Sequence, residues 1–151
     1  MNRKMAGHSR TTTRDANLAY TKEIVQRFES CALPPSEFSH RAHLTVALVY
    51  LVHLPPDEAR ERMCTNIRNF LHHHQLDLQK YNKTITLFWL KVTEHYLKNR
   101  GVDCPIEDLA RELLERYGDS RLIFSYYSES LILSLAARAA WVEPDLRPID
   151  F

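Results

Sequence analysis

The chain has 151 residues, the length of one ordinary domain, and a chain of this size can bury roughly two-thirds of the surface that its unfolded form exposes. Its 20 basic and 19 acidic residues give a formal net charge of +1, so no general field attracts nucleic acid, anionic lipid or acidic substrates. Three widely spaced cysteines indicate neither a disulfide framework nor a CxxC metal site. We therefore expect one cytoplasmic domain with free thiols and without a nucleic-acid or membrane partner.

The first 14 residues carry four basic side chains and no acidic one. A transit peptide has a similar composition, but a basic extension at a chain terminus is the commoner structure. We predict a disordered basic extension over residues 1–14 and a single helical domain over residues 15–151.

The next segment, from Asp15 to Ala32, has the pattern of an amphipathic helix. Its apolar residues recur at spacings near three and four, as they do on the buried face of a helix; they are Leu18, Ile24, Val25, Phe28 and Cys31. Two consecutive prolines, Pro34 and Pro35, end the predicted helix.

A central buried helix is predicted between residues 40 and 54. Residues 44–52 are apolar except for Thr45 and the hydroxyl of Tyr50, so nearly every face must be covered by other helices. Ser36 or Ser39 can cap this helix, and Pro55 and Pro56 follow its end.

The remaining chain continues the helical pattern. Helices are predicted to begin at Pro56, to span Thr84–Asn99 before Gly101, and to run from Pro105 to Gly118, with a further turn over 121–127 and a short helix from Ser134 through Ala140. No segment alternates apolar and polar residues as a strand would. The sequence therefore predicts an all-α, single-domain bundle of five to seven helices around the central helix.

Two histidines at the start of the central helix form the most promising chemical pair. His40 and His43 are three residues apart and share one helix face, where they could ligate one divalent cation or act as acid and base. Spacing alone favours the simpler alternative, in which each histidine hydrogen-bonds backbone groups at a helix junction. Glu37 could orient one imidazole or be an ordinary surface acid.

Three fragments of the chain, EFSHRAHLTVA, YNKTITLFW and AARAAWVEPDL, carry a family resemblance. They resemble the segments W-x-H-x-A-H-L, G-Y-H-E-T-x-T and W-V-x-P-D-L of a family of uncharacterised, mostly bacterial, helical proteins. The resemblance spans roughly residues 30–147 and implies one pocket built from three distant pieces of chain. His40 and His43 match the histidines of the first segment, and Tyr81 and Thr84 match the second. The family brings no established reaction.

The sequence departs from that family at two adjacent positions. Asn82 and Lys83 stand where the family pattern has His and Glu. The changes remove a nitrogen ligand and replace a carboxylate by an ammonium group, and both oppose a divalent cation. We therefore predict weak or absent zinc binding, and a measurable gain when Asn82→His and Lys83→Glu are combined.

Asp145, in the third fragment, could face the same pocket or bond its own turn beside Pro144. The predicted site thus comprises His40 and His43 as candidate catalytic residues and a set of candidate ligand-binding residues: Glu37, Tyr81, Asn82, Lys83, Thr84 and Asp145. The sequence leaves the question of a cofactor open. Three functions stay open: a small-molecule-binding module, a metal-dependent hydrolase-like enzyme, and a structural or partner-binding helical module.

Overall fold

The computed structural model describes residues 8–151, with side chains described from Ala19 onward. All regular structure in that range is helical, which confirms the predicted all-α fold. The α-helices are α1 His8–Glu29, α2 His40–His53, α3 Pro56–His73, α4 Lys83–Arg100, α5 Ile106–Tyr117, α6 Glu129–Ile132 and α7 Leu135–Ala139. Single 3₁₀ segments occupy Pro35–Glu37, Leu78–Lys80 and Ser120–Ser125. None of the described helices has both the length and the apolar character needed to cross a membrane.

Most helix boundaries follow local capping chemistry. The Ser39 hydroxyl accepts a hydrogen bond from the backbone N–H of Ala42, and Ser134 caps α7 in the same way at Ala137, as the sequence predicts. Helix α1 begins at His8, seven residues before the predicted start at Asp15. The remaining part of the predicted extension, residues 1–7, lies outside the described residues.

Two features of the C-terminal third differ from the predicted elements. Residues 120–125 form a 3₁₀ segment, although a further helical turn is expected over 121–127. The four-residue helix α6 follows it, capped by the Ser128 hydroxyl at Leu131. One turn of helix contains too few residues to show a period of 3.6, so sequence spacing cannot reveal it.

Helix α2 lies at the centre of the bundle and packs against α1, α3, α4 and α5. Its side chains divide between two apolar clusters. Ala42, Val46 and Ala47 face the cluster built on α1 and α3, whereas Leu44 and Leu48 face the cluster built on α4, α5 and the C-terminal segment. All five are fully buried, and burial of a leucine side chain contributes about 1.5–3 kcal/mol to folding.

Candidate functional site

His40 opens α2 and faces the end of α5. Its ring Nε2 donates a hydrogen bond to the backbone oxygen of Tyr117 at 3.0 Å, and its ring meets the Trp89 indole edge-on with 4.2 Å between centroids. Burial lowers the pKa of His40, while the hydrogen bond to Tyr117 opposes that shift. His40 therefore joins three helices, which matches the backbone-bonding alternative.

His43 lies one turn further along α2 and differs from His40 in having an unpartnered ring nitrogen. Its side chain is only 9 % exposed, and its Nε2 is fully buried without a hydrogen-bond partner. Burial, with a smaller contribution from the nearby His40, lowers the pKa of the imidazole to about 4. His43 is thus a neutral, buried ring with one free nitrogen, and such a group in a native protein needs a physical explanation.

Asn82 and Thr84 anchor the start of α4 to the C-terminal segment. The Asn82 side-chain oxygen caps α4 by accepting from the N–H of Ile85, and its amide nitrogen donates to the backbone oxygen of Ile132 at 2.6 Å. The Thr84 hydroxyl donates to the backbone oxygen of Ala140 at 2.8 Å and accepts from the N–H of Val142. Both side chains are buried and fully engaged with protein backbone.

The two neighbours of Asn82 are less enclosed. Tyr81 is half-buried, and the Arg68 guanidinium lies 5.8 Å from its ring centre. Burial raises the pKa of the Tyr81 hydroxyl, and a hydrogen bond with the Cys64 thiol raises it further. Lys83 is partly exposed and forms no ion pair with any described residue.

Asp145 and Glu37 have partners that do not include either histidine. The Asp145 carboxylate accepts from the backbone N–H and the hydroxyl of Ser128, at 2.8 and 2.5 Å, and these two bonds lower the pKa of Asp145. Glu37 pairs with Arg27 at 3.2 Å. Asp145 therefore bridges to Ser128 at the start of α6, and Glu37 is a surface acid that lines a small cavity beside α1.

The predicted site residues thus form two separate sets of contacts. His40 contacts α4 and α5, and His43 lies near His40 and Phe38, while Asn82, Thr84 and Asp145 hold the C-terminal segment. Within the described part of the chain, no hydrogen bond or ring contact connects the first set with the second. That all of them line one pocket stays a prediction.

Metal coordination was one of the open alternatives for the histidine pair. Among residues whose side chains are described, no three His, Cys, Asp or Glu side chains converge closely enough to hold a metal ion. Since a protein zinc site needs at least three ligands, His40 and His43 have no third partner there. The expected zinc gain of the Asn82→His, Lys83→Glu double variant stays a prediction.

His74 is a residue that the sequence patterns did not single out by itself. It follows the last residue of α3, its ring lies 4.5 Å from that of Phe70, and its Nε2 is also buried without a partner. Gln75 next to it has a positive φ of 54°, and the N–H of Leu76 bonds the oxygen of Leu71, which ends the helix. It is the last of three consecutive histidines, residues 72–74, and the sequence does not indicate which of the three rings is buried.

Comparison of the chain with protein-family models, with curated proteins and with solved structures finds no match. The family resemblance of the three fragments therefore stays an expectation.

Proposed function

We propose that this protein is a noncatalytic binding module that takes a small, neutral, hydrogen-bonding molecule at His43. The observation that carries the proposal is the buried Nε2 of His43, which has no hydrogen-bond partner. A buried polar atom without a partner costs about 1–3 kcal/mol, so a ligand that satisfies it gains binding energy from the protein itself.

The surroundings of His43 favour a ligand with an apolar body. Its ring lies 6.0 Å from that of Phe38, which stacks on Phe28 at 4.5 Å and contacts Phe70 at 5.2 Å. An apolar wall with a single polar group is the usual composition of a small-molecule site. A charged ligand is disfavoured, because neutral His43 offers no counter-charge in this low-dielectric environment.

A route to His43 passes through Phe38. The residues on either side of it, Glu37 and Ser39, line a cavity of about 320 Å³ between α1 and the start of α2. The Phe38 ring itself turns inward against Phe28. We propose that rotation of this one partly buried side chain, whose ring lies 6.0 Å from that of His43, opens the route from the cavity to the imidazole.

The environment of His40 favours this function over the metal-dependent hydrolase alternative. Its Nε2 is engaged by the Tyr117 carbonyl, and a nitrogen that donates a hydrogen bond cannot ligate a metal at the same time. The same hydrogen bond holds the His40 Nε2 proton on the Tyr117 carbonyl, so this proton is not free for transfer to a substrate.

The test is a thermal-shift screen of the full chain against a panel of small neutral alcohols, phenols and amides. We expect at least one compound to raise Tm and to move the ¹⁵Nε2 chemical shift of His43. The His43→Leu variant should lose the Tm increase, because leucine fills the space without offering a nitrogen.

The matched control is His53→Leu, which changes an exposed histidine at the other end of α2. It should respond to the same compounds as the wild type. Equal Tm increases in wild type and His43→Leu, or no response to the whole panel, would rule out the proposed site.

A second function, docking of another protein chain, is favoured by a different observation. Within residues 124–146, four large apolar side chains are exposed: Phe124, Leu133, Leu135 and Leu146. Leu135 is 75 % exposed, and we propose that these side chains form one apolar patch of the kind that interaction surfaces expose. Sedimentation velocity over a concentration series tests whether a second copy docks there; a Leu135→Ser variant should then remain monomeric at concentrations where the wild type associates.

A further inference from the structure

One cleft on the outer surface of α3 differs in charge from the other cavities of the protein. We call it the Arg68 cleft; it has a volume of about 350 Å³ and is lined by Thr65, Arg68, Asn69, His72, Leu78 and Tyr81. The first four residues recur at spacings of three and four, so they lie on one face of α3. The other two come from the 3₁₀ segment Leu78–Lys80 and the residue after it.

No carboxylate lines the Arg68 cleft. Three other cavities lined by described side chains each have at least one acidic lining residue: Glu107 and Glu115 in the first, Glu23 and Glu37 in the second, and Asp119 in the third. In those cavities a carboxylate on the protein would repel an anionic ligand or compete for the arginine. The Arg68 cleft lacks that competition.

Arg68 is held in place without being neutralised. Its Nε donates to the backbone oxygen of Cys64 at 3.4 Å, and its guanidinium lies 5.8 Å from the Tyr81 ring centre. It forms no ion pair with a carboxylate of any described residue. Asp77 is the acidic residue that directly precedes Leu78 in the sequence. Its carboxylate accepts a hydrogen bond from the N–H of Gln79 and caps the 3₁₀ segment Leu78–Lys80.

Apolar surface adjoins this cation. Leu78 is 55 % exposed and the Tyr81 ring is half-buried, so both offer apolar surface to the cleft. The Thr65 hydroxyl and the Asn69 amide add uncharged hydrogen-bond donors to the same wall.

We propose that the Arg68 cleft binds a small organic carboxylate. The carboxylate pairs with the Arg68 guanidinium, whose planar array of donors fits two carboxylate oxygens. The apolar body of the ligand lies against Leu78 and Tyr81. The carbonyls that end α3 do not oppose this anion strongly, because those of Phe70, Leu71 and His72 already accept backbone N–H groups. This site is independent of the one at His43.

The experiment is a titration of the ¹⁵N-labelled full chain with sodium benzoate at constant ionic strength, followed by amide chemical shifts. Benzoate is expected to shift the amides of residues 65–72 and 78–81 in a saturable way. Benzamide, which has the same shape and no charge, should bind at least about tenfold more weakly. The same titration is made with 3-methylbutanoate, an aliphatic carboxylate of similar size.

Two arginine variants separate the site from general charge effects. Arg68→Gln should weaken benzoate binding by at least about tenfold, and Arg68→Lys by less, because lysine keeps the charge and loses the planar donor array. Arg62→Gln is the matched control. Arg62 also lies on α3, 5.7 Å from the centre of a tyrosine ring, but the Glu29 carboxylate is 3.9 Å from it.

The proposal is supported if Arg62→Gln binds benzoate as the wild type does and Arg68→Gln does not. It is overturned if the amide shifts show no saturation with either carboxylate up to about 20 mM, because the Kd would then correspond to very weak binding. It is also overturned if benzamide equals benzoate, or if the two arginine variants behave alike. Because Arg68 is exposed, its replacement leaves the core of the fold unchanged, and an unaltered amide spectrum verifies this for each variant.

Discussion

At the scale of single residues, sequence spacing indicates which polar residues share a helix face but not what each one contacts. His40 and His43 lie on one face of α2, as their spacing predicts, yet one bonds Tyr117 and the other has a free nitrogen. The partner of His40 is 77 residues away along the chain. No local pattern encodes a contact of that range, so only the structure distinguishes the two histidines.

The buried imidazole of His43 should make stability fall in acid. Its pKa drops from 6.5 to about 4 on folding, so below pH 6.5 the unfolded chain binds a proton that the folded chain excludes. The free energy of unfolding therefore decreases as pH falls from 6.5 towards 4, by about 3 kcal/mol from this group alone, and the loss levels off below pH 4.

Urea denaturation of wild type and His43→Leu at pH 7.5, 5.5 and 4.5 measures this contribution. The variant should lose less stability in acid than the wild type, and the difference should grow between pH 6.5 and 4. Parallel pH profiles for the two proteins would mean that His43 titrates normally. His53→Leu, at an exposed position, should follow the wild type.

Asn82 should be important for stability, whatever it contributes to a ligand site. Asn82→Ala removes the cap of α4 and leaves the buried oxygen of Ile132 without its donor, for a combined loss of about 2–3 kcal/mol. Asn82→Ser keeps a capping oxygen and should recover about 1 kcal/mol of that loss. Chemical denaturation of both variants at pH 7 measures the two contributions, and an equal loss in both would show that the cap contributes nothing.

At the scale of secondary structure, helices α2 to α5 and the short, Ser134-capped α7 were predictable, whereas the start of α1, the 3₁₀ segment after α5 and α6 were not. Helices α2 to α5 have capping residues and apolar stripes over several turns, so their predicted limits agree with the structure within a few residues. The 3₁₀ segment Ser120–Ser125 and α6 are too short for periodicity, and tertiary contacts decide their conformation.

Gly118, directly after α5, should not tolerate a side chain. A Cβ there would lie 2.4 Å from the backbone oxygen of Leu114 and 3.1 Å from the Arg41 guanidinium. Gly118→Ala should therefore move the end of α5 and destabilise the protein by about 1–3 kcal/mol.

The same substitution tests whether α5 positions His40, since the neighbouring Tyr117 oxygen accepts its hydrogen bond. We expect Gly118→Ala to change the ¹⁵Nε2 shift of His40 as well as to lower the unfolding midpoint in urea. An unchanged His40 shift together with an unchanged midpoint would show that α5 accommodates the methyl group without moving.

At the scale of the whole molecule, the two apolar clusters should unfold together. Helix α2 contributes side chains to both, so neither cluster is complete without it. We expect one cooperative transition. Leu48→Ala should reduce the free energy of unfolding by about 2–5 kcal/mol and so lower the midpoint, because Leu48 is fully buried.

Two probes of unfolding test this cooperativity. The Trp141→Phe variant leaves Trp89 as the fluorescent reporter of the cluster built on α4, α5 and the C-terminal segment. Far-ultraviolet circular dichroism follows helices throughout the chain. Coincident transitions are expected for both probes. A fluorescence transition that precedes or follows the loss of helix would show that the clusters unfold separately.

The bonds that tie the C-terminal segment to the bundle also dictate an order of events during synthesis. Thr84 is bonded to residues 140 and 142, and Asn82 to residue 132. A ribosome that has released helices α1 to α5 still holds the residues that cover Phe88 and Trp89. The nascent chain therefore exposes this aromatic surface until the segment through Phe151, whose ring lies 5.6 Å from that of Phe88, emerges, and in that interval it is most vulnerable to aggregation and most suited to recognition by a chaperone.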